Sequence, residues 1–312
     1  MDKRYLEIQI LLQQRAEITA RLNLIPYDGS IEIKDRDEKK YIYIRKRVLG
    51  RYTSTYIDSY SDELFVSISK LLKDAKEYKK EIRKINIELA KLGYSPQDLS
   101  PRVLLNIEFA RANMKSNIYD QAILEGIATT FPDTETIIEN GKVSGMTATD
   151  VQKILNLKHA WEFIMGKDAV ASKTSYSILC YIAGLVNEGF YTYGGRIRSV
   201  PVSIGGTTYV PPIPIEFVVK EKIEEILNKK EEPADIAIEL CLYCMKTQIF
   251  NDGNKRAAVI FANHFLISKG AGLLVIPWNR VPDFKKLLVL YYEDRDNGEI
   301  LEFMKTYCWK KF

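Results

Sequence analysis

One stretch of the sequence limits the possible folds more than any other, because its apolar residues recur at alternating steps of four and three. The repeat consists of Leu64, Ile68, Leu71, Ala75, Tyr78, Ile82, Ile85, Leu89 and Leu92. Such a heptad seam predicts a long helix with a continuous apolar stripe along one side. Gly93 follows the last apolar position and is the residue type expected where a helix ends.

The apolar stripe of this long helix needs a partner. Residues 3–25 also have helical periodicity and supply apolar side chains, so we expect the two helices to form an antiparallel, coiled-coil-like hairpin. A homodimeric coiled coil is the alternative, which would make the protein a homo-oligomer through its N-terminal helices. Residues 31–57 alternate in the manner of strands, with Gly50 suited to a turn, and predict a small β-meander inserted in the hairpin. We assign residues 1–98 to this N-terminal domain.

Basic and aromatic residues are interleaved in the meander, a composition that can contact nucleic acid. The basic residues are Lys39, Lys40, Arg45, Lys46, Arg47 and Arg51, and they lie among Tyr41, Tyr43 and Tyr52. Asp35, Asp37 and Glu38 occur in the same stretch, and the net charge of the whole chain is only +4. The mixed charges favour an ordinary solvated surface, with nucleic-acid binding as the less favoured alternative.

The remaining residues, 99–312, predict a second, mainly α-helical domain. Helices are expected to begin at a Thr149–Asp150 cap, over 172–189, from Pro233 to about Lys246, from near Gly253 to Gly270, and over 282–292 and 297–311. One segment, 192–213, is rich in glycine and proline and predicts a β-hairpin. The expected fold class is therefore mainly α, with one hairpin in the helical domain.

Cysteine and hydropathy patterns exclude several classes of protein. Four cysteines are too few for a disulfide framework in 312 residues. Cys241 and Cys244 have the spacing of a metal or redox motif, but their apolar helical surroundings favour buried structural thiols. No apolar run is long enough to cross a bilayer, and the N-terminus lacks the core of a signal peptide. We therefore expect a cytoplasmic protein that does not bind a membrane.

The residues with the strongest chemical implication form the loop Phe250-Asn251-Asp252-Gly253-Asn254-Lys255-Arg256, which lies between two apolar helices. The first amides of a helix have no partner within it, and the helix dipole favours an anion there. Gly253 allows close approach to a ligand, and Lys255 and Arg256 can donate to phosphate oxygens. Asp252 is a candidate Mg²⁺ ligand. An ordinary helix–turn–helix, with Asp252 as a helix cap, is the structural alternative.

This loop resembles the signature of the Fic/Doc family, His-x-Phe-x-(Asp/Glu)-Gly-Asn-(Gly/Lys)-Arg. Two further segments are similar to family features: Glu125-Gly126 to an inhibitory motif, and residues 196–210, which include Arg196, Arg198, Ile204 and Tyr209, to the flap that docks the target protein as an added strand. The resemblance covers roughly residues 100–312. It implies a Fic-type helical bundle with a β-hairpin flap.

The resemblance also implies an activity: transfer of AMP, or in some members phosphate, from a nucleotide to a hydroxyl of a target protein, with ATP and Mg²⁺ as the usual cofactors. By position, Asp252 would hold the metal, Gly253, Asn254 and Lys255 would cradle the phosphates, and Arg256 would neutralise their charge. Lys255 is shared with the phosphate-transferring Doc-type members.

Three departures from the family pattern bear on this activity. Gln248 replaces the histidine that takes the proton from the attacking hydroxyl, and an amide cannot do so at neutral pH. Val259 replaces a second arginine, and Gln121 replaces a serine or threonine of the inhibitory motif, so Arg256 becomes the available partner for Glu125.

Three hypotheses follow from these departures. The favoured one is a nucleotide-binding Fic-fold protein with weak or absent AMP transfer. The second is an active nucleotidyl- or phosphotransferase in which Asp252 or a metal-bound hydroxyl acts as the base. The third is a non-enzymatic adaptor that binds a protein or DNA through its N-terminal hairpin. The sequence leaves open whether the protein is an enzyme and which protein it would modify.

Overall fold

The computed structural model describes residues 3–36, 39–48, 51–94 and 99–312. The chain divides into two compact units, Met1–Pro96 and Gln97–Phe312. Most of the described residues are helical, which confirms the predicted fold class.

The first unit contains two long helices, α1 (Lys3–Asn23) and α2 (Asp62–Lys91). Ser61 caps α2 by accepting a hydrogen bond from the amide of Leu64. Leu12 of α1 is buried together with Ile85 and Leu89 of α2. Nε of Arg4 donates to the carbonyl of Leu92 at 2.8 Å, so the start of α1 lies near the end of α2. The predicted antiparallel hairpin is confirmed, while the homodimeric coiled coil stays a prediction.

A three-stranded antiparallel meander connects these two helices. Its strands are β1 (Ser30–Arg36), β2 (Lys39–Val48) and β3 (Arg51–Ser59), with β2 in the centre. Ile42 and Ile44 of β2 are buried in one cluster with residues of α2, so one face of the sheet forms part of the core of this unit. The meander is as predicted, and the expected turn residue Gly50 lies outside the described residues.

The second unit is a helical bundle built around one buried helix. Its elements are α3 (Pro101–Ala112), α4 (Met114–Leu124), α5 (Phe131–Ile138), α6 (Ala148–Met165), α7 (Lys167–Ala171), α8 (Tyr176–Val186), α9 (Glu216–Leu227), α10 (Pro233–Thr247), α11 (Asn254–Lys269), β4 (Leu273–Leu274), a 3-10 turn (Trp278–Arg280), α12 (Val281–Tyr292), α13 (Glu299–Phe303), a π-helical turn (Met304–Cys308) and β5 (Trp309–Lys310). Helix α11 is buried along most of its length and contacts α3, α6, α8 and α10.

Two predicted helix boundaries in this unit were wrong. The cap of α6 is Thr147, whose hydroxyl accepts a hydrogen bond from the amide of Asp150, whereas Thr149 and Asp150 are already helical. The predicted helix over 297–311 ends at Phe303, after which a π-helical turn leads into β5. There β5 pairs antiparallel with β4, so a tertiary contact overrides the helical pattern of the sequence.

The predicted hairpin over 192–213 was also wrong. All of these residues are described, and they form turns and extended backbone without paired strands. The segment contains four glycines and three prolines, which disfavour paired strands: proline lacks the donor that a ladder needs, and glycine gains little from strand packing. We call residues 192–213 the flap segment.

Two other expectations concern thiols and membranes. Cys241 and Cys244 are buried on α10, and burial raises the pKa of both thiols. These thiols therefore stay protonated and pack as small apolar groups. Within the part of the chain that the structure describes, no helix combines the length and apolarity needed to cross a membrane.

Candidate functional site

The loop between α10 and α11 is shaped by two residues with left-handed backbone. Gln248, directly after α10, has φ 49° and ψ 61°, and its backbone N–H donates to the carbonyl of Cys244. Gly253, directly before α11, has φ 72° and ψ 13°. These two conformations reverse the chain within a few residues, so the amides that open α11 lie at the end of a tight loop.

Asn254 holds the loop together from inside. Its Oδ1 accepts from the amide of Phe250 at 2.8 Å, and its Nδ2 donates to the carbonyl of Phe250 at 2.7 Å and to Oε1 of Gln248 at 3.1 Å. Phe250 is fully buried and anchors the loop. The side chain of Asn254 is thus committed to shaping the loop, which leaves the backbone amides as the donors that can face an anion.

Asn187, which sequence reasoning missed, connects this loop to the flap segment. Its Nδ2 donates to the carbonyl of Asp252 at 2.9 Å and to that of Gly194 at 3.2 Å. A Cβ at Gly253 would lie only 2.7 Å from Oδ1 of Asn187, so glycine is required there by space as well as by backbone angle. A lone asparagine after an apolar helix has no sequence signature that would have identified it.

Both ends of the side-chain amide of Gln248 are hydrogen-bonded within the loop. Its Nε2 donates to the carbonyl of Met245 at 2.6 Å, while its Oε1 accepts from Asn254. The two histidines of the chain are placed elsewhere. His264 is buried on α11 between the hydroxyl of Thr174 and the carbonyl of Ala169, and burial lowers its pKa to about 4. His159 is buried on α6 beside Glu188.

Arg256 is an internal cation of the site, with 1% of its side chain exposed. Its Nη1 donates to the carbonyl of Val186 at 2.7 Å, and its Nη2 lies 3.1 Å from Oδ2 of Asp252. Its Nε lies 3.4 Å from Oε2 of Glu125, which is the partner that the sequence left available. Two carboxylates therefore compensate the guanidinium in this arrangement, and Arg256 organises the loop from beneath.

Lys255 is the more accessible cation, with 32% of its side chain exposed. Its Nζ lies 3.6 Å from Oε1 of Glu125, so a single carboxylate contacts both cations of the loop. Lys285 of α12 lies in the same neighbourhood: burial lowers its pKa first, and the charge of Lys255 lowers it further. The mouth of the loop therefore carries two lysines, Lys255 and Lys285, beside the carboxylates of Glu125 and Asp252.

Helix α4, which ends just before Glu125, is held against α11 by a second residue that the sequence did not identify as structural. Nε2 of Gln121 donates to the carbonyl of Arg256 at 2.9 Å, and its Oε1 accepts from Nε1 of Trp161 at 3.2 Å. Gly126 follows with φ 79°, a left-handed conformation that ends the helix. Gln121 thereby fixes the distance between Glu125 and the cations of the loop.

The four flap residues predicted to dock a target have different environments, and Arg198 needs a correction. Arg198 is buried and donates to the carbonyls of Gln248, Val200 and Pro212, so it anchors the flap segment instead of presenting itself to a partner. Tyr209 is half-buried, with its ring stacked on Tyr292.

Arg196 and Ile204 remain nearer the surface. The guanidinium of Arg196 lies 3.8 Å from the ring centroid of Tyr193, and the side chain is exposed. Ile204 is half-buried in the same segment. Docking of a target by these residues stays a prediction.

Comparison with known proteins agrees with this geometry. Residues 173–266 match the model of the Fic/DOC family. The fold is similar to that of a Fic domain containing signaling protein from Bacteroides thetaiotaomicron VPI-5482, with 19% identity, a TM-score of 0.54, and coverage of 67% of this chain and 86% of that one. It is also similar to a Fic family protein from Desulfovibrio desulfuricans G20, with 18% identity, a TM-score of 0.52, and coverage of 68% and 73%. No curated protein matches the chain.

The matched range includes α8, the flap segment, α10, the loop and most of α11. At identities below one fifth, the likeness to the solved structures concerns the fold alone. The family match and these folds agree with the resemblance read from the sequence: the second unit has a Fic-type fold, and its residues 173–266 match the Fic/DOC family model.

Proposed function

We propose that this domain binds a nucleotide at the loop that opens α11, and that its transfer of AMP to protein hydroxyls is weak or absent. The observation that carries the proposal is the state of Gln248, which stands where the family has its histidine. Both ends of the amide are hydrogen-bonded within the loop, and an amide has no basicity at neutral pH. A general base is typically worth about 10²–10⁴-fold in rate, and that contribution is lost here.

The phosphate-binding part of the proposal rests on the start of α11. The first amides of the helix lack helical partners, the dipole adds partial positive charge, and Gly253 leaves the backbone open to close approach. Lys255 supplies the accessible cation. Arg256 contributes from below by holding Asp252 and Glu125, and it can contact phosphate only if one of these pairs opens.

Asp252 fits a metal that arrives together with the nucleotide. Its carboxylate is 47% exposed and pairs with Arg256. The described residues contain no group of three or more acidic, histidine or cysteine side chains that could hold an ion by themselves. Mg²⁺ is usually held by one or two carboxylates plus substrate phosphates, which is what Asp252 and the phosphates of ATP would provide. The metal would neutralise phosphate charge when bound.

Glu125 is proposed to act as an internal competitor of the phosphates. Its carboxylate already contacts the cations that an incoming phosphate would use. In the family an equivalent glutamate is inhibitory, and the present contacts support the same role for Glu125 through Arg256, since Val259 has replaced the usual partner. Nucleotide binding would then require this carboxylate to move or be compensated.

A second candidate is an active transferase with altered chemistry. The exposed part of the Asp252 carboxylate is the feature that favours it, because a carboxylate beside a bound hydroxyl can accept its proton. Lys255, which is shared with Doc-type members, would suit transfer of the terminal phosphate. Both candidate functions require nucleotide binding at the loop, and they differ in whether a group is then transferred to a protein.

The first experiment measures binding of ATP with Mg²⁺ to the intact chain by calorimetry and by the shift of the melting temperature. We expect Lys255→Ala to weaken binding about tenfold, the usual effect of losing one charge-assisted hydrogen bond. Lys269→Ala is the matched control, because Lys269 lies at the far end of the same helix. No binding by the unaltered chain, or equal losses in both variants, would overturn the proposal.

Labelled ATP then separates the two candidates. Label transferred to protein from the α-phosphate identifies AMP transfer, and label from the γ-phosphate identifies phosphate transfer. Binding without either transfer is the outcome expected from the proposal.

A further inference from the structure

The meander of the first unit sorts its side chains by face in a way that the sequence does not show. Tyr41, Tyr43 and Arg45 alternate along β2 with the buried Ile42 and Ile44, so they point away from the core. The strand register then identifies their neighbours, because directly paired residues of antiparallel strands lie on the same face.

The pairs of β2 bring further aromatic and basic residues to this outer face. Lys34 of β1 pairs with Tyr41, Tyr56 of β3 pairs with Tyr43, and Tyr52 of β3 pairs with Arg47. We call this surface the tyrosine face and define it by Lys34, Tyr41, Tyr43, Arg45, Tyr52 and Tyr56. Four tyrosines and two cations thus occupy adjacent positions on one side of the three strands.

Two rings of the tyrosine face, Tyr52 and Tyr56, are open to solvent, while Tyr41 and Tyr43 are half-buried, and cations lie close to the rings. Tyr52 is 63% exposed and Tyr56 is 51% exposed, which is high for large aromatic side chains. The guanidinium of Arg45 lies 4.1 Å from the ring centroid of Tyr52, and Nζ of Lys34 lies 4.6 Å from that of Tyr43. The rings of Tyr43 and Tyr56 contact each other edge to face.

The sequence of the meander mixes basic and acidic residues, and the strand register divides them between the opposite faces of the sheet. Lys40, Lys46 and Arg51 lie on the other side of the sheet, as does Asp35, which pairs with Lys40. The acid on the tyrosine face within the described strands is Glu32, and its charge is met by Ser54 and Lys34. The tyrosine face is therefore basic, although the segment as a whole has mixed charge.

We propose that the tyrosine face binds single-stranded nucleic acid. Unpaired bases would stack on the exposed rings of Tyr52 and Tyr56, and Arg45 and Lys34 would pair with phosphates. Exposed rings interleaved with cations are the combination that binds single strands with little sequence preference, and duplexes hide the ring faces of their bases. Three strands at about 4.8 Å spacing offer room for about two or three nucleotides.

An acidic protein segment is the competing kind of partner, and the rings argue against it. Such a segment would use the cations but gain little from four clustered tyrosines. When a base takes the place of Arg45 over Tyr52, the freed guanidinium can turn to the phosphate beside that base. The ring of Tyr52 can thus bind the base of a nucleotide while Arg45 binds its phosphate.

The test uses the intact chain and a fluorescein-labelled twelve-nucleotide thymidine strand, with anisotropy measured at 50 and 200 mM salt. Tyr52→Leu, which keeps apolar bulk but removes the aromatic ring, is expected to weaken binding about tenfold, within the range found for one lost stacked base. Arg45→Ala is expected to weaken binding and to lessen its salt dependence, because one phosphate contact is lost.

Arg51→Ala is the matched control: it removes the same charge from the same sheet, but from the other face. Melting temperatures of all variants establish that each is folded. If Tyr52→Leu fails to fold, Arg45→Ala still tests the proposal, because Arg45 is exposed and its loss should leave the fold intact. The proposal is supported by losses at Tyr52 and Arg45 with Arg51→Ala unchanged. It is overturned by absence of binding at low salt, by equal loss in Arg51→Ala, by a duplex of the same length binding equally well, or by polyglutamate displacing the strand at equal charge.

Discussion

Oε2 of Glu125 lies 3.4 Å from Nε of Arg256, and this ion pair connects the end of α4 to the start of α11. The other carboxylate oxygen lies 3.6 Å from Nζ of Lys255. One side chain outside the loop therefore controls how much positive charge the loop can offer to an anion. Because the guanidinium is buried while Lys255 is partly exposed, the carboxylate has one structural and one accessible partner.

Replacing Glu125 by Gln should tighten the binding of ATP with Mg²⁺ by roughly two- to fivefold. The change removes one competing negative charge, and a partly exposed pair of this kind is worth about 1 kcal/mol or less. The melting temperature without nucleotide should fall, because Arg256 loses one of its buried partners. Calorimetric titration and thermal unfolding measure the two effects.

Glu135→Gln provides the comparison for this variant. Glu135 is a surface carboxylate paired with Lys115 at 2.9 Å on α4, away from the loop, and its loss should leave ATP affinity unchanged. Weaker nucleotide binding in Glu125→Gln would contradict an inhibitory role for this carboxylate.

Replacing Gln248 by His should raise AMP transfer by about 10²-fold or more over the unaltered chain, the usual contribution of a general base. Histidine tolerates the left-handed backbone at this position better than most residues do. Transfer of label from α-labelled ATP to protein measures the rate. Gln248→Ala is the control, which lacks both the amide and a base and should gain nothing. An unchanged rate in Gln248→His would show that the loop does not hold a nucleotide in a reactive position.

Replacing Gly253 by Ala should destabilise the domain by about 2–4 kcal/mol. Left-handed backbone costs a residue with a Cβ about 1–2 kcal/mol, and the added atom would lie 2.7 Å from Oδ1 of Asn187. Gly206→Ala separates the two effects, because Gly206 has φ 83° but open space around its Cβ position. Denaturant unfolding of both variants should show the larger loss at Gly253. Equal losses of stability would mean that the side chain of Asn187 moves aside from the added Cβ with no free-energy cost.

Stability should fall between pH 6.5 and 4 because of His264. Burial lowers its pKa in the folded protein to about 4 from an ordinary value of 6.5. As the pH drops through this window, the unfolded chain takes up a proton that the folded chain does not, so the free energy of unfolding decreases by up to about 3 kcal/mol. Above pH 6.5 the contribution is fully present.

Denaturant unfolding at pH 7, 5.5 and 4.5 measures this slope. His264→Gln should reduce the pH dependence of the free energy of unfolding by the contribution of one proton. It should also lower stability at pH 7, because it disturbs the contacts with Thr174 and Ala169. Thr174→Val keeps the histidine and should keep the slope. A slope that persists in His264→Gln would assign the acid sensitivity to other groups.

Local patterns predicted much of the fold. The heptad stripe identified α2 and required α1 as its partner, and the alternation over 31–57 identified the three strands. The loop residues were identified in the correct order between two helices, because glycine, asparagine and the flanking apolar periodicity have direct backbone consequences. Where the predictions failed, as in the flap segment and the end of the chain, tertiary partners decided the backbone: Arg198 anchors the former, and β4 pairs with the latter.

The sequence alone determined which residues form the loop, that Gln248 lacks the basicity of a histidine, and that basic and aromatic residues share the meander. Those are properties of residue type and of neighbours along the chain. Only the tertiary structure decided that Arg256 is buried between Asp252 and Glu125, that Asn187 closes over Gly253, and that the tyrosines and Arg45 share a face from which Arg51 is excluded. Those relationships join residues far apart in sequence or depend on strand register, and packing determines both.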